Sequence, residues 1–112
     1  MPEPLGTFSG FEVENLGTLN SAAAGTAVQC GGVNMTYQVT VSSIGTNVVI
    51  RFEGSLDGTN YFNLDQSNTD TTLTANGTYG FALSGCPVRF TRLRLVSISG
   101  GTPSVTGLVG AA

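Results

Sequence analysis

The chain of 112 residues contains no histidine, no lysine and no tryptophan, and only two cysteines, Cys30 and Cys86. A nucleophile paired with a base near neutral pH usually relies on His, and a Schiff base requires Lys, so triads and imine chemistry are excluded. Paired carboxylates drawn from Glu53, Asp57, Asp65 and Asp70 would need a cleft between them, and a domain of this size has little mass to build one. The chain is therefore expected not to be an enzyme and to carry no cofactor. Two cysteines are too few for a disulfide scaffold, and a zinc site of ordinary composition cannot be assembled without His. Cys30 and Cys86 either pair across neighbouring strands or stand as two buried free thiols. The lack of Trp also weakens a sugar-platform reading of Tyr37, Tyr61 and Tyr79.

Charge is scarce as well. Only 10% of residues carry it, and four arginines against seven acids leave a formal net charge of −3. Nucleic acids and anionic membrane surfaces both call for clustered cations, so neither is expected as a partner. No apolar run approaches the roughly 20 residues of a membrane span. The opening residues, MPEPLGTFSG, lack the basic start and apolar segment of a signal peptide. A soluble protein, not exported by the standard signal, is the expectation.

What the chain does have is glycine, 16 in all, with frequent Thr and Ser. That composition describes strands joined by tight turns, and the length suits one domain with a single core. The clearest stretch is residues 47–65, NVVIRFEGSLDGTNYFNLD, where Val48, Ile50 and Phe52 fall on one face and Val49, Arg51 and Glu53 on the other. Asp57-Gly58 marks a reversal after it, with a new strand from Tyr61 to Leu64. Before it, Val33, Met35, Tyr37, Val39 and Val41 alternate with polar residues, and Ser43, Gly45 and Asn47 supply turn chemistry between the two strands. A short strand is expected near 27–30.

After the polar loop 66–72, Asn76-Gly77 signals another hairpin, and Tyr79, Phe81 and Leu83 alternate beyond it. Residues 88–98 read as a long strand whose apolar parity switches between Phe90 and Leu93, so a bulge or twist near Thr91 and Arg92 is expected. Gly100 to Pro103 reads as a turn and 105–109 as a last short strand. The expected fold is all-β, with about eight short strands in a single antiparallel sandwich or barrel (residues 21–112) and an N-terminal arm (1–20).

The arm mixes Pro2, Pro4, Gly6, Gly10 and Gly17 with Leu5, Phe8, Phe11, Val13, Leu16 and Leu19. It is too broken for a long strand and too apolar to hang in solvent. It either supplies an edge strand of its own domain, through Phe11 and Val13, or lies on a neighbouring subunit. Arg89, Arg92 and Arg94 are the densest positive charge, explained by pairing with carboxylates on adjacent strands or by meeting acids on a partner. Asp57, Asn60 and Tyr61 form a polar tip; turn chemistry accounts for it, and its spacing does not match the helix-flanked calcium loop.

Three stretches together carry a resemblance: TYQVTVSSIGTNVVIRFEGSLDGTNYFNLD, GTYGFALSGCPVRFTRLRLVSISGG and the small-residue end TPSVTGLVGAA. Over roughly residues 37–112 the chain resembles small virion proteins of tailed bacteriophages. The resemblance implies a decoration or cement protein on the outer capsid surface, made in the host cytoplasm, contacting the major capsid protein and itself, often as a homotrimer. Ser55, Asp57, Gly58, Asn60 and Tyr61, with the later run from Arg89 to Leu93, also look like the discoidin-type jelly roll. That likeness implies the alternative of glycan or receptor binding at the Asp57 tip in a tail or fibre protein. Tyr61 stands where those relatives tend to have Trp, so no ligand residues are carried over.

Overall fold

The computed structural model describes residues 12–30, 34–65, 67–85 and 87–111. They form eight strands: β1 (Glu12–Leu19), β2 (Ala23–Ala24), β3 (Val28–Gln29), β4 (Met35–Ser55), β5 (Phe62–Asn63), β6 (Thr71–Leu73), β7 (Gly77–Leu83) and β8 (Phe90–Ala111). All belong to one antiparallel sheet with β8 and β4 paired along its centre. The all-β class and the eight strands are as expected, but two of them are not short: β4 has 21 residues and β8 has 22. The expected turns at Ser43–Asn47 and Gly100–Pro103 lie inside these strands, as a pair of facing bends.

Those bends fold the sheet onto itself. Tyr37 and Phe52 are both on β4, and in a straight strand their separation would be about 50 Å; their rings are 4.4 Å apart. At the bend Ser43 takes φ 55°, Gly100 73° and Gly101 70°, and the register shifts on both sides of Ile44. The two backbones approach so closely that a Cβ on Gly45 would lie 2.2 Å from the Gly100 carbonyl carbon, so only glycine fits.

Two leaves result. The first holds β1, the second half of β8, the first half of β4, and β7; the second holds β2, β3, the first half of β8, the second half of β4, β5 and β6. Alternation sends Met35, Tyr37, Val39 and Val41 from one leaf and Val48, Ile50, Leu93 and Leu95 from the other into a shared core. On one flank the chain from β1 to β3 stitches the leaves together: Thr26 N donates to Leu16 O (2.9 Å) and Gly25 N to Leu93 O (2.7 Å). On the opposite flank, between β7 and the β5–β6 segment, no such backbone bond occurs among the described residues.

Two local readings need correction. No bulge occurs at Thr91 and Arg92, where register runs unbroken from Phe90 to Leu95; it falls at Val96, between Leu95 and Ser97. Thr91 takes an inward slot that pattern reading reserves for an apolar residue, because its hydroxyl donates to the Glu53 carbonyl (2.9 Å). Asn76-Gly77 does not close a hairpin either. β6 and β7 each pair with β4, on different leaves, and Asn76 Oδ1 accepts from Ile44 N (2.9 Å), so this turn crosses at the bend. Cys30 is a free thiol 3.3 Å from Met35 Sδ; Cys86 lies outside the described residues.

Candidate interaction surfaces

The outer faces of the two leaves differ in charge. On the first leaf, register aligns Thr18, Thr106, Thr40 and Thr78 across four adjacent strands. Their hydroxyls hydrogen-bond in pairs, Thr18 with Thr106 at 2.9 Å and Thr40 with Thr78 at 3.1 Å. The next rows are Asn15, Leu108, Gln38 and Gly80, then Val13, Gly110, Thr36 and Ala82. These residues are exposed or half-buried, and none of their side chains ionises. A neutral, small-residue surface can meet another β surface without stripping water from a charge.

The second leaf gathers the charge. Glu53 is 4% exposed and lies beneath three guanidiniums. Arg92 Nε donates to it at 2.7 Å, Arg94 Nε at 3.0 Å and Arg51 Nη1 at 3.5 Å. Arg51 also forks onto Asp70, with Nε at 2.7 Å and Nη2 at 3.1 Å. That hydrogen bond raises Arg51 and lowers Asp70 from their ordinary pKa values. Tyr61 stacks on Arg92, its ring centroid 3.7 Å from the guanidinium carbon. Burying the Glu53 carboxylate is tolerable because both oxygens are satisfied by cations.

The tip proposed from the sequence is a self-contained turn. Asp57 Oδ1 accepts from Ser55 Oγ (2.9 Å), Thr59 N (2.8 Å) and Asn60 N (2.8 Å), while Oδ2 accepts from Asn60 Nδ2 (2.9 Å). These donors, led by the Asn60 and Thr59 backbone amides, hold Asp57 well below the usual carboxylate range. Asp65 is used the same way: Ser67 and Thr69 donate to it and lower its pKa. Neither carboxylate projects unused toward a ligand.

A groove of about 640 Å³ lies between β7 and the β5–β6 segment. Phe52, Leu64, Phe81 and Leu83 give it an apolar lining, and Arg51, Asn63 and Asp65 give it a polar one. Phe81 packs on Phe52 at 5.1 Å between ring centroids, so the wall is firm.

The other sequence candidates separate cleanly. Leu16 is fully buried in its own core and Leu19 packs against that core, so neither is an exposed contact residue. Between the two uses of the arm, β1 is an edge strand of its own domain, with Leu16 rather than Val13 as its anchor; Val13 is 57% exposed. Arg92 and Arg94 are engaged within the chain by Glu53, whereas Arg89 is exposed. Leu5, Phe8 and Phe11 lie outside the described residues. Sequence reasoning missed the threonine row, because it depends on register between strands far apart in the chain. It also missed Glu53 as the hub of the arginines, although the placement of Arg51 and Glu53 on one face was a legible signal.

The fold is thus an antiparallel β-sheet doubled over into two leaves. No family model matches the chain, and no curated protein sequence matches it. Among solved structures it is similar to the SPBc2 prophage-derived protein YomS, with a TM-score of 0.61, 14% identity, and coverage of 97% of this chain and 100% of that one.

Proposed function

We propose that this chain is a structural subunit of a tailed-phage particle, one that decorates or cements the outer surface of the capsid through protein–protein contacts. The uncharged, four-strand outer face of the first leaf carries this reading, since it offers a broad surface whose burial desolvates no ion. The fold likeness to a prophage-derived protein supports the phage setting. The partners would be the major capsid protein and sister copies, in a trimer by analogy with the proteins the sequence resembles.

Such a subunit works by mass action. It binds the assembled shell and not the dissociated parts, so occupancy stabilises the shell, and several weak contacts per oligomer act together. We read no catalytic step into the chain, because Glu53, Asp57, Asp65 and Asp70 are each committed to hydrogen bonds within it. The alternative, glycan binding at the Asp57 tip, draws less support: Asp57 is saturated by its own loop and Tyr61 is covered by Arg92.

The test is heat. Particles lacking the protein should release their genome at a lower temperature than complete ones, and adding purified protein should restore them. Equal resistance of depleted and complete particles would remove the proposal.

A further inference from the structure

We infer that the outer face of the second leaf is a docking surface for an acidic protein: a partner's Asp or Glu carboxylate bridges Arg92 and Arg94 from outside, as Glu53 bridges them from beneath. The inference goes beyond the shell reading and stands on the geometry of the arginine pair.

β8 sends Leu93 and Leu95 into the core, so Arg92 and Arg94 share its outward face. Glu53 divides its two oxygens between them. Its Oε1 accepts from Arg92 Nε at 2.7 Å and its Oε2 from Arg94 Nε at 3.0 Å, so the two guanidiniums are held at a spacing that one carboxylate spans. Each guanidinium has five N–H groups, and these bonds use only the one on Nε. Among the described residues, Nη1 and Nη2 of both arginines make no hydrogen bond. No buried side-chain nitrogen or oxygen there lacks a partner, so these four nitrogens reach solvent.

The charges are unequal as well. Arg51 touches Glu53 only at 3.5 Å and has its own acid, Asp70, which it grips through Nε and Nη2 at 2.7 and 3.1 Å. Arg92 and Arg94 therefore share the single charge of Glu53. One positive charge is left over on a pair whose side chains are just 21% and 33% exposed. A second carboxylate neutralises it through charge-assisted bonds, in surroundings already partly stripped of water. Tyr61, stacked on Arg92 at 3.7 Å, fixes the plane of that fork before any partner arrives.

The form of the face selects the source of the acid. Neither Arg92 nor Arg94 lines the groove beside β7; both lie on a sheet face, which suits an acid carried on another surface. The neighbouring row of Ser97, Val49 and Thr72 is uncharged and exposed or half-buried, so a protein can settle against it without stripping water from further ions. A nucleic acid, the other carrier of oxyanions, would meet a chain of net charge −3 with no lysine. Glu53, Asp57, Asp65 and Asp70 are spent within the chain, so the acid is that of a different protein.

The probes are an alternating Thr-Glu peptide, its Thr-Gln counterpart and a short DNA duplex, each titrated into the full chain at low salt while the arginine Nε–H signals are followed by NMR. The Thr-Glu peptide should shift Arg92 and Arg94 more than Arg89, an exposed arginine that reports unspecific attraction. The Thr-Gln peptide should shift none. Arg94→Gln removes the surplus charge while Glu53 keeps Arg92, so it should retain the β-type circular dichroism and bind the Thr-Glu peptide at least about tenfold more weakly. Arg92→Lys combined with Arg94→Lys keeps both charges without the forks and should lose as much. If these variants do not fold, the contrast between the two peptides on the unaltered chain carries the test. Equal shifts at Arg89, equal binding of the Thr-Gln peptide, or tighter binding of the duplex overturns the inference. So does self-association that both Glu14→Gln and Arg94→Gln abolish, since the occupant would then be a second copy. Particle heat resistance is a separate measurement, so failure of the shell reading and failure of this one are distinguishable.

Discussion

The hydroxyl of Tyr37, on the first leaf, lies 2.6 Å from that of Thr91, on the second, and both side chains are fully buried. Thr91 in turn donates to the Glu53 carbonyl, so Thr91 accepts from Tyr37 and the two leaves are tied by a directional polar link inside an apolar core. Tyr37→Phe keeps the ring packing and removes that donor. Its expected cost is about 1 kcal/mol in a urea titration, with the slope of the transition unchanged.

Glu53 should be the most sensitive polar side chain on the second leaf. Glu53→Ala leaves Arg92 and Arg94 without their shared carboxylate, and removal of one partner from a buried ion pair costs about 3 to 5 kcal/mol. Because the arginines are 21% and 33% exposed and can turn to water, the low end of that range is expected, read as a lowered denaturation midpoint.

The bend makes a matched pair of glycine substitutions informative. Gly45→Ala drives a Cβ into the Gly100 backbone and should cost several kcal/mol, on the order of the worst core substitutions. Gly80→Ala meets no atom within 4 Å and has no positive φ. It should stabilise by about 0.5 kcal/mol through the unfolded chain. Thermal melts of the two variants check both signs.

Acid should weaken the fold in a defined window. Asp70, held by Arg51, and Asp57 and Asp65, held by their loops, all have folded pKa values below the ordinary 3.8. Below about pH 4 the unfolded chain therefore binds more protons than the folded one, so their contribution is present above that pH and is lost as pH falls through the lowered values. Asp70→Asn should flatten this part of a stability-against-pH curve while leaving the neutral region sloped as before.

Much of the fold was legible because burial imposes alternation. Met35 to Val41 and Val48 to Phe52 announced their inward faces, and residues 28–29 and 79–83 formed strands where expected. The misreadings share one cause. Ser43 to Asn47 and Gly100 to Pro103 carry turn residues, yet they bend strands that continue, because each bend is held by the other across the ladder. Asn76-Gly77 likewise has hairpin chemistry and is used to cross between leaves. Of the contact surfaces, Arg51 and Glu53 on one face hinted at the ion cluster. The threonine row depends on pairings that local pattern does not encode.

β8 is the last of the eight strands to be synthesised, and it lies between β1 and β4, at the middle of the sheet. Until it emerges, β1 lacks its ladder partner and β4 its longest one, so among the described strands a nascent chain holds the ladders that β5, β6 and β7 make with β4. Closure of the molecule thus waits on translation reaching Ala111, whose row joins Met35 across most of the chain's length.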